Sequence, residues 1–313
     1  TRGFSLETMS NRKGIKTMFH TLPLNRRGFI SAAGLAALTL TGLQGSAGAV
    51  ESSSASASAS ASASDPSAKN LKLGLASYTT RKFSLDETLE MMNQIGVKYI
   101  TLKDFHLKMD STKEERQEAA RKIKAAGVTL MGCGVVYLKN DEKQIRNAFE
   151  YARDAGMPVM VSAPDLDALP AVAKMAEEFD IKVAIHNHGP NDERYPSHMD
   201  AYRSAKQFGE HMGVCIDVGH TVRLGLNEVE AVHAVHDRLY DFHIKDVTSR
   251  DAKGGATEVG RGVIDIPGVL QALLEVGFTG HVALEYEKNA DHPLPGMIES
   301  FAYIRGALAA LYK

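Results

Sequence analysis

From residue 71 onward the chain alternates eight times between a short apolar run and a longer amphipathic segment, and few folds can use such a pattern. The runs lie at 71–76, 98–103, 128–133, 157–162, 181–187, 213–217, 239–245 and 281–286. Between them, apolar residues recur at helical spacing, as at Leu85, Leu89, Met92 and Ile95, and again at Ile145, Phe149 and Ala152. Gly96, Gly127, Gly156 and Gly277 each stand where a helix must stop before a strand begins, a place that favours a residue tolerant of positive φ. Strands alternating with helices imply parallel strands joined by crossovers. Eight such units over roughly 240 residues predict an α/β fold, a single (β/α)8 barrel of the TIM type, whose usual size is about 250 residues. A doubly wound open sheet is the alternative, but no Gly-x-Gly-x-x-Gly follows the first strand, which removes that fold's commonest cofactor.

The chain ahead of residue 71 reads differently. Asn25-Arg26-Arg27-Gly28-Phe29-Ile30 puts paired arginines before a modest apolar stretch at 30–43, followed by Ser46-Ala47-Gly48-Ala49. A basic region, a short apolar core and a small-x-small site describe a secretory signal, too short and too rich in Gly, Ser and Thr for a membrane span. The arginine pair with a following Phe resembles a twin-arginine signal, with Met9 or Met18 as the start and cleavage after Ala49. Residues 1–49 are thus expected to be a signal region and the protein to be exported to the periplasm, soluble and free of the membrane once cleaved. Residues 50–70 are largely Ser-Ala alternation, which has no large apolar side chain to offset its ordering entropy and is expected to be a flexible linker. The folded domain is then 71–313.

The formal net charge of −2 offers nothing to a nucleic acid or an anionic surface. Cys133 and Cys215, the only cysteines, lie in no Cys-x-x-Cys pattern, so a thiolate zinc site or a disulfide scaffold is not expected; both are read as buried reduced thiols. A homo-oligomer is compatible with the sequence.

In such a barrel the chemistry sits at the carboxyl ends of the strands, and there the second half of the chain is heavily polar. The fifth run yields His186 and His188, two apart and so on one face of a strand; the sixth ends in Asp217 and His220; the seventh gives His243, Lys245 and Asp246; the eighth gives Glu285 and Glu287. A hydrogen-bonded core pair is the ordinary account of two such histidines taken alone. Carboxylates and imidazoles from four strands at one mouth, however, need a cation or substrate to organise them. One divalent metal ion is the simplest organiser, and mixed nitrogen and oxygen donors suit Mn, Co, Zn, Fe or Ni without choosing among them.

His186, the Asp217-x-x-His220 element, His243 in His-Ile-Lys-Asp and Glu285 in Ala-Leu-Glu-Tyr-Glu resemble the metal-site strands of the xylose isomerase-like barrel superfamily, over about 71–313. That group includes sugar isomerases, ketose 3-epimerases, inosose dehydratases and isomerases, and type IV apurinic endonucleases. The resemblance implies His186, Asp217, His243 and Glu285 as metal ligands and a small carbohydrate as substrate, with His220 contacting substrate or supporting the ligands. In the epimerases a glutamate stands where this chain has His186, and it doubles as one of two bases. An imidazole bound to metal through its lone pair is poorly suited to that second task.

The expected chemistry therefore needs one base: enolisation of a keto sugar by proton abstraction next to a metal-held carbonyl. Glu285 or a nearby group is expected as that base, with His188 as a proton shuttle or substrate contact, Lys245 as an electrophile or acid, and Lys103 binding a hydroxyl or polarising a carbonyl. His106, Tyr78 and Arg261 are expected to touch substrate, Arg261 as a clamp on a flexible loop that begins at Val247. His198, His211, His233 and His236 are assigned to helical surface or packing positions. The leading function is an exported, metal-dependent isomerase or epimerase-like enzyme. A lyase or dehydratase eliminating from a 3-keto-glycoside or keto-inositol is the alternative, and a non-catalytic carbohydrate-binding barrel is a third reading. An apurinic endonuclease is disfavoured by the charge balance and the export signal.

Overall fold

The computed structural model describes residues 71–312; the expected signal region and Ser/Ala linker lie outside the described residues. Eight parallel strands close into a barrel: β1 (Lys72–Ala76), β2 (Tyr99–Leu102), β3 (Thr129–Val136), β4 (Val159–Ser162), β5 (Lys182–His186), β6 (Met212–Asp217), β7 (Leu239–Ile244) and, after two short strands described below, β10 (His281–Leu284). Closure is made by β1 pairing in parallel with β10, Leu75 opposite Leu284. This pairing excludes the open doubly wound sheet.

Local sequence starts and stops the helices between strands. The helix α1 (Leu85–Ile95) begins at a capping box, in which Ser84 accepts from the Glu87 N–H and Glu87 accepts from the Ser84 N–H, and ends on Gly96 in the left-handed region. Thr112 with Glu115 starts α2 (Lys113–Ala125) in the same way, and Asp141 caps α3 (Glu142–Asp154). Leu169–Phe179 forms α4, His198–Ala205 α5, Val218–Arg223 α6, Glu228–Val235 α7, Ile266–Glu275 α8 and Leu294–Leu311 α9. Their apolar faces pack against the outer faces of the strands in one continuous core that includes Met92, Ile123, Phe149, Val172, Leu270 and Phe301. None of these helices is long and apolar enough to cross a membrane.

Two strands differ in extent from expectation, each through a side chain. The third runs on to Val136, held by the Ser162 hydroxyl donating to its carbonyl (2.7 Å), although Gly132 and Gly134 interrupt the apolar pattern. The eighth stops at Leu284, because Thr79 donates to the Leu284 carbonyl (3.1 Å) and accepts from the Tyr286 N–H (2.9 Å). Both ends fall at the barrel mouth.

The long connection after β7 is ordered, which corrects the expectation of a flexible loop. Asp246–Val247 (β8) and Ala256–Thr257 (β9) form a small antiparallel ribbon. The buried Asp246 carboxylate accepts from the backbone N–H of Val247, Gly260, Gly262 and Ile264. Gly262 leaves the room that this requires, since a Cβ there would collide with the Asp246 carboxylate.

Candidate metal centre

Barrel register brings the polar strand ends to one level. Asp217 lies opposite His243 across β6 and β7, His186 lies opposite Cys215 across β5 and β6, and the Glu285 N–H donates to the Ile244 carbonyl just beyond the end of β10. His186, Asp217, His243 and Glu285 consequently offer one donor atom each, all within 4.8 Å of one another. The separations are 3.2 Å from His186 Nε2 to His243 Nδ1, 3.2 Å from His243 Nδ1 to Glu285 Oε2 and 3.5 Å from His186 Nε2 to Asp217 Oδ2. Nitrogen and oxygen donors held about 2.0–2.2 Å from one ion at tetrahedral angles stand roughly 3.4 Å apart, so this spacing fits a single divalent metal. His186, Cys215 and His243 form a second such group, sharing both imidazoles.

Neighbouring groups aim the donors. Asp217 Oδ1 accepts from the His220 N–H (2.9 Å), capping α6 and turning Oδ2 toward the cluster. Asn187, fully buried between the two histidines, accepts from the Asp217 N–H (2.8 Å) and donates to the Asp217 carbonyl and the Thr221 hydroxyl (both 3.3 Å). Gly189 takes positive φ where a Cβ would stand 2.8 Å from His220 Nδ1, so the loop after β5 passes close over that imidazole. Asn187 was not singled out in the sequence; its position on the opposite face of the strand from both histidines is the signal that could have marked it as a tie between strands.

Burial favours the neutral form of three of the imidazoles, whereas at His243 the neighbouring Cys215 and Glu285 overcome burial and raise it well above the ordinary imidazole value. Burial pushes His186 down to about 3, and it lowers His188 and His220 as well. Burial works against ionisation of Asp217 and Glu285, but the Lys245 ammonium, 2.8 Å from Asp217 Oδ2 and 2.7 Å from Glu285 Oε2, outweighs it and holds both carboxyls well below their usual range. The contact with Asp217 is an ion pair off the hydrogen-bond line, so Asp217 Oδ2 keeps an unfilled acceptor position, as the buried His186 Nδ1 keeps an unpartnered nitrogen.

Above the cluster a cavity of about 180 Å³ is lined by Tyr78, Lys103, Val135, Tyr137, His186, His188, His220, Glu285 and Glu287. Thus Tyr78, Lys103, His188 and His220 all line the cavity above the cluster. Lys103 donates to the Val135 carbonyl (2.5 Å). Tyr137 and Glu287 also line the cavity; nothing local marks Tyr137 in the sequence, because it follows an irregular stretch of β3. Tyr137 Oη lies 3.1 Å from His188 Nε2, and Asp192 Oδ2 lies 3.7 Å from His188 Nδ1. A second cavity of about 250 Å³, with Met109, Leu138 and Tyr151 in its wall, shares Lys103, Val135 and Tyr137 with the first.

Several expected contacts fall elsewhere. Arg261 pairs with Glu299 on α9 and is exposed, because Gly260 and Gly262 are pinned to Asp246 and turn its side chain outward; it does not line the cavity. His106 is bonded to the Ser77 (2.9 Å) and Thr88 (3.2 Å) hydroxyls, and burial pushes it down to about 4, so it braces the end of β2 behind the cavity wall. Of the remaining histidines, His198 is buried at the start of α5 and His233 lies in α7. His236 opens a short 3-10 turn, and His211 sits in the turn before β6 rather than in a helix, paired with Asp180 (3.0 Å). Cys133 and Cys215 are free and buried, as expected.

Comparison with known proteins agrees with this architecture. A rhizopine catabolism protein of Rhizobium meliloti is 28% identical over 140 residues, 39% of this chain and 42% of that protein. The chain therefore spans less than half the length of that relative. Among solved structures, an uncharacterised protein of Parabacteroides distasonis shares 23% identity at a TM-score of 0.60, covering 75% of this chain and 98% of that one. The 3-keto-D-glucoside 4-epimerase of E. coli shares 18% identity at a TM-score of 0.59, covering 76% of this chain and 100% of that one. Similarity at these identities is similarity of fold. The model of one family, the xylose isomerase-like TIM barrel, matches residues 89–307, more than half of the chain, and the protein belongs to that family.

Proposed function

We propose that the protein is a divalent-metal-dependent enzyme that enolises a keto sugar, with isomerisation or epimerisation as the outcome. The observation that carries this reading is the donor cluster of His186, Asp217, His243 and Glu285 at metal-ligand spacing, directly beneath a polar cavity. These four side chains would hold the ion, which when bound supplies Lewis-acid polarisation of a substrate carbonyl.

The protein's own groups account for the rest. Glu285 is committed to Lys245 and His243, so ligation suits it better than proton abstraction. His188 is the better base. Burial favours its neutral form and it faces the cavity, and a proton taken at Nε2 leaves an imidazolium with the Asp192 carboxylate 3.7 Å from Nδ1. Tyr137, within hydrogen-bond reach of that same nitrogen, holds the ring in place and offers a hydroxyl to substrate. Lys103 lines the same cavity, where its ammonium can bind a substrate oxygen.

A second reading, elimination from a 3-keto-glycoside, is favoured by the adjoining cavity of about 250 Å³, which gives an aglycone a place beside the sugar. The E. coli relative in fold is named for a 3-keto-D-glucoside, which supports the same substrate class. If the arginine pair and apolar stretch ahead of residue 71 act as the expected export signal, the substrate is one met outside the cytoplasm. The test is turnover of a panel of free ketoses and 3-keto-glycosides by metal-loaded and chelator-treated protein. Loss of turnover on chelation supports the reading, and released aglycone selects the lyase. Undiminished turnover after complete metal removal would sink metal dependence.

A further inference from the structure

The Lys245 side chain is buried, and its ammonium touches Glu285 Oε2 and Asp217 Oδ2. These are the same two oxygens that face the imidazoles of the cluster, Glu285 Oε2 toward His243 Nδ1 and Asp217 Oδ2 toward His186 Nε2. An ammonium and a divalent ion would compete for the same lone pairs, and at such separations two cations in a buried site repel strongly. A third carboxylate stands ready: Glu287 Oε2 is 3.4 Å from Lys245 Nζ and lines the substrate cavity. The lysine stem runs over Gly219, where a Cβ would lie 2.5 Å from Lys245 Cδ and 2.7 Å from Cγ, so the present position of the ammonium depends on the missing side chain of Gly219.

We infer that Lys245 is an exchangeable cation: it holds Asp217 and Glu285 together until a divalent metal takes their oxygens, and the metal then drives its ammonium over to Glu287 at the cavity. This rests on the metal reading given above. The exchange sets the affinity of the site, because the metal must displace an ion pair before it binds. It also brings a cationic hydrogen-bond donor to the substrate only when the site is loaded, which makes Lys245 a positioning residue in one state and a substrate contact in the other.

The test compares Mn²⁺ affinity, measured by chelator competition, in wild type, Lys245→Met and Gly219→Ala. Lys245→Met removes the competing charge at similar volume, whereas Gly219→Ala keeps the charge and pushes the stem away. Both variants should bind Mn²⁺ at least about tenfold more tightly than wild type, since no ammonium holds their two carboxylates before loading. Lys245→Met should also show a larger rise in Tm on adding Mn²⁺. A crystal structure of Mn²⁺-loaded wild type should place Lys245 Nζ against Glu287 and out of contact with Asp217 Oδ2. Equal or weaker affinity in the variants, with wild type still binding Mn²⁺, overturns the exchange and leaves the metal centre standing. No Mn²⁺ binding by wild type overturns both. Should Lys245→Met fail to fold, Gly219→Ala and the loaded structure decide.

Discussion

At the scale of single residues, roles in the site separate by what each side chain touches. His186 has its Nε2 in the donor cluster, whereas His188, two positions on, is held between Tyr137 and Asp192 with no contact to the carboxylates of the cluster. His188→Gln is therefore expected to lower turnover by about 10²–10⁴-fold, the usual contribution of a general base, while leaving metal affinity within error of wild type. Steady-state kinetics together with a metal titration checks both halves. Asn187 works through Asp217: with its amide gone, the buried Asp217 N–H loses its acceptor, while the Asp217 carbonyl keeps the Thr221 hydroxyl. Asn187→Ala should weaken metal binding by about 10–100-fold, as loss of a group that orients a ligand usually does. The histidine pair was legible in the sequence because a period of two is a strong constraint. Asn187 and Tyr137 were not, since their importance comes from strands far away in the chain.

At the scale of elements, the alternation of apolar runs and amphipathic segments already contained the eight strands, in order, and the helix caps are visible as Ser84 with Glu87, Thr112 with Glu115 and Gly96. Strand ends were less legible. The last ladder bond of a strand can be taken by a side chain from another turn, as Thr79 does at Leu284, and no local pattern announces it. The same holds for Asp246, whose four backbone donors turn an apparently mobile loop into a fixed one and send Arg261 to Glu299. Between helices, the buried pair of Arg116 on α2 and Asp154 at the end of α3 (3.2 Å) is reinforced by Arg116 donating to the Met109 carbonyl. Arg116→Met leaves the Asp154 carboxylate paired with Arg153 alone, so the loss is that of one buried hydrogen-bonded partner, about 1–3 kcal/mol. Chemical denaturation measures it, and a loss below about 1 kcal/mol would show that the pair contributes little.

At the scale of the whole molecule, the buried histidines tie stability to pH. Burial pushes His198 down to about 4 from an ordinary value of 6.5, and its Nδ1 has no partner. Its neutral form is thus favoured by folding; that contribution is complete above pH 6.5 and is lost as pH falls toward 4, because the unfolded chain binds the proton first. Between pH 7 and 5 the wild type should lose on the order of 2 kcal/mol more than His198→Gln, the equivalent of about 1.5 units of linkage. Denaturation at the two pH values checks this away from the metal centre.

The proposed reaction is abstraction of a proton from the carbon next to a substrate carbonyl by the metal-loaded protein. It is tested most directly by NMR of a 3-keto-glucoside incubated in deuterated water with the Mn²⁺-loaded protein. Solvent deuterium should appear at that carbon with the loaded wild type and fail to appear with chelated protein or His188→Gln. Deuterium incorporation that is unchanged by chelation, or conversion of the sugar without any incorporation, would contradict it.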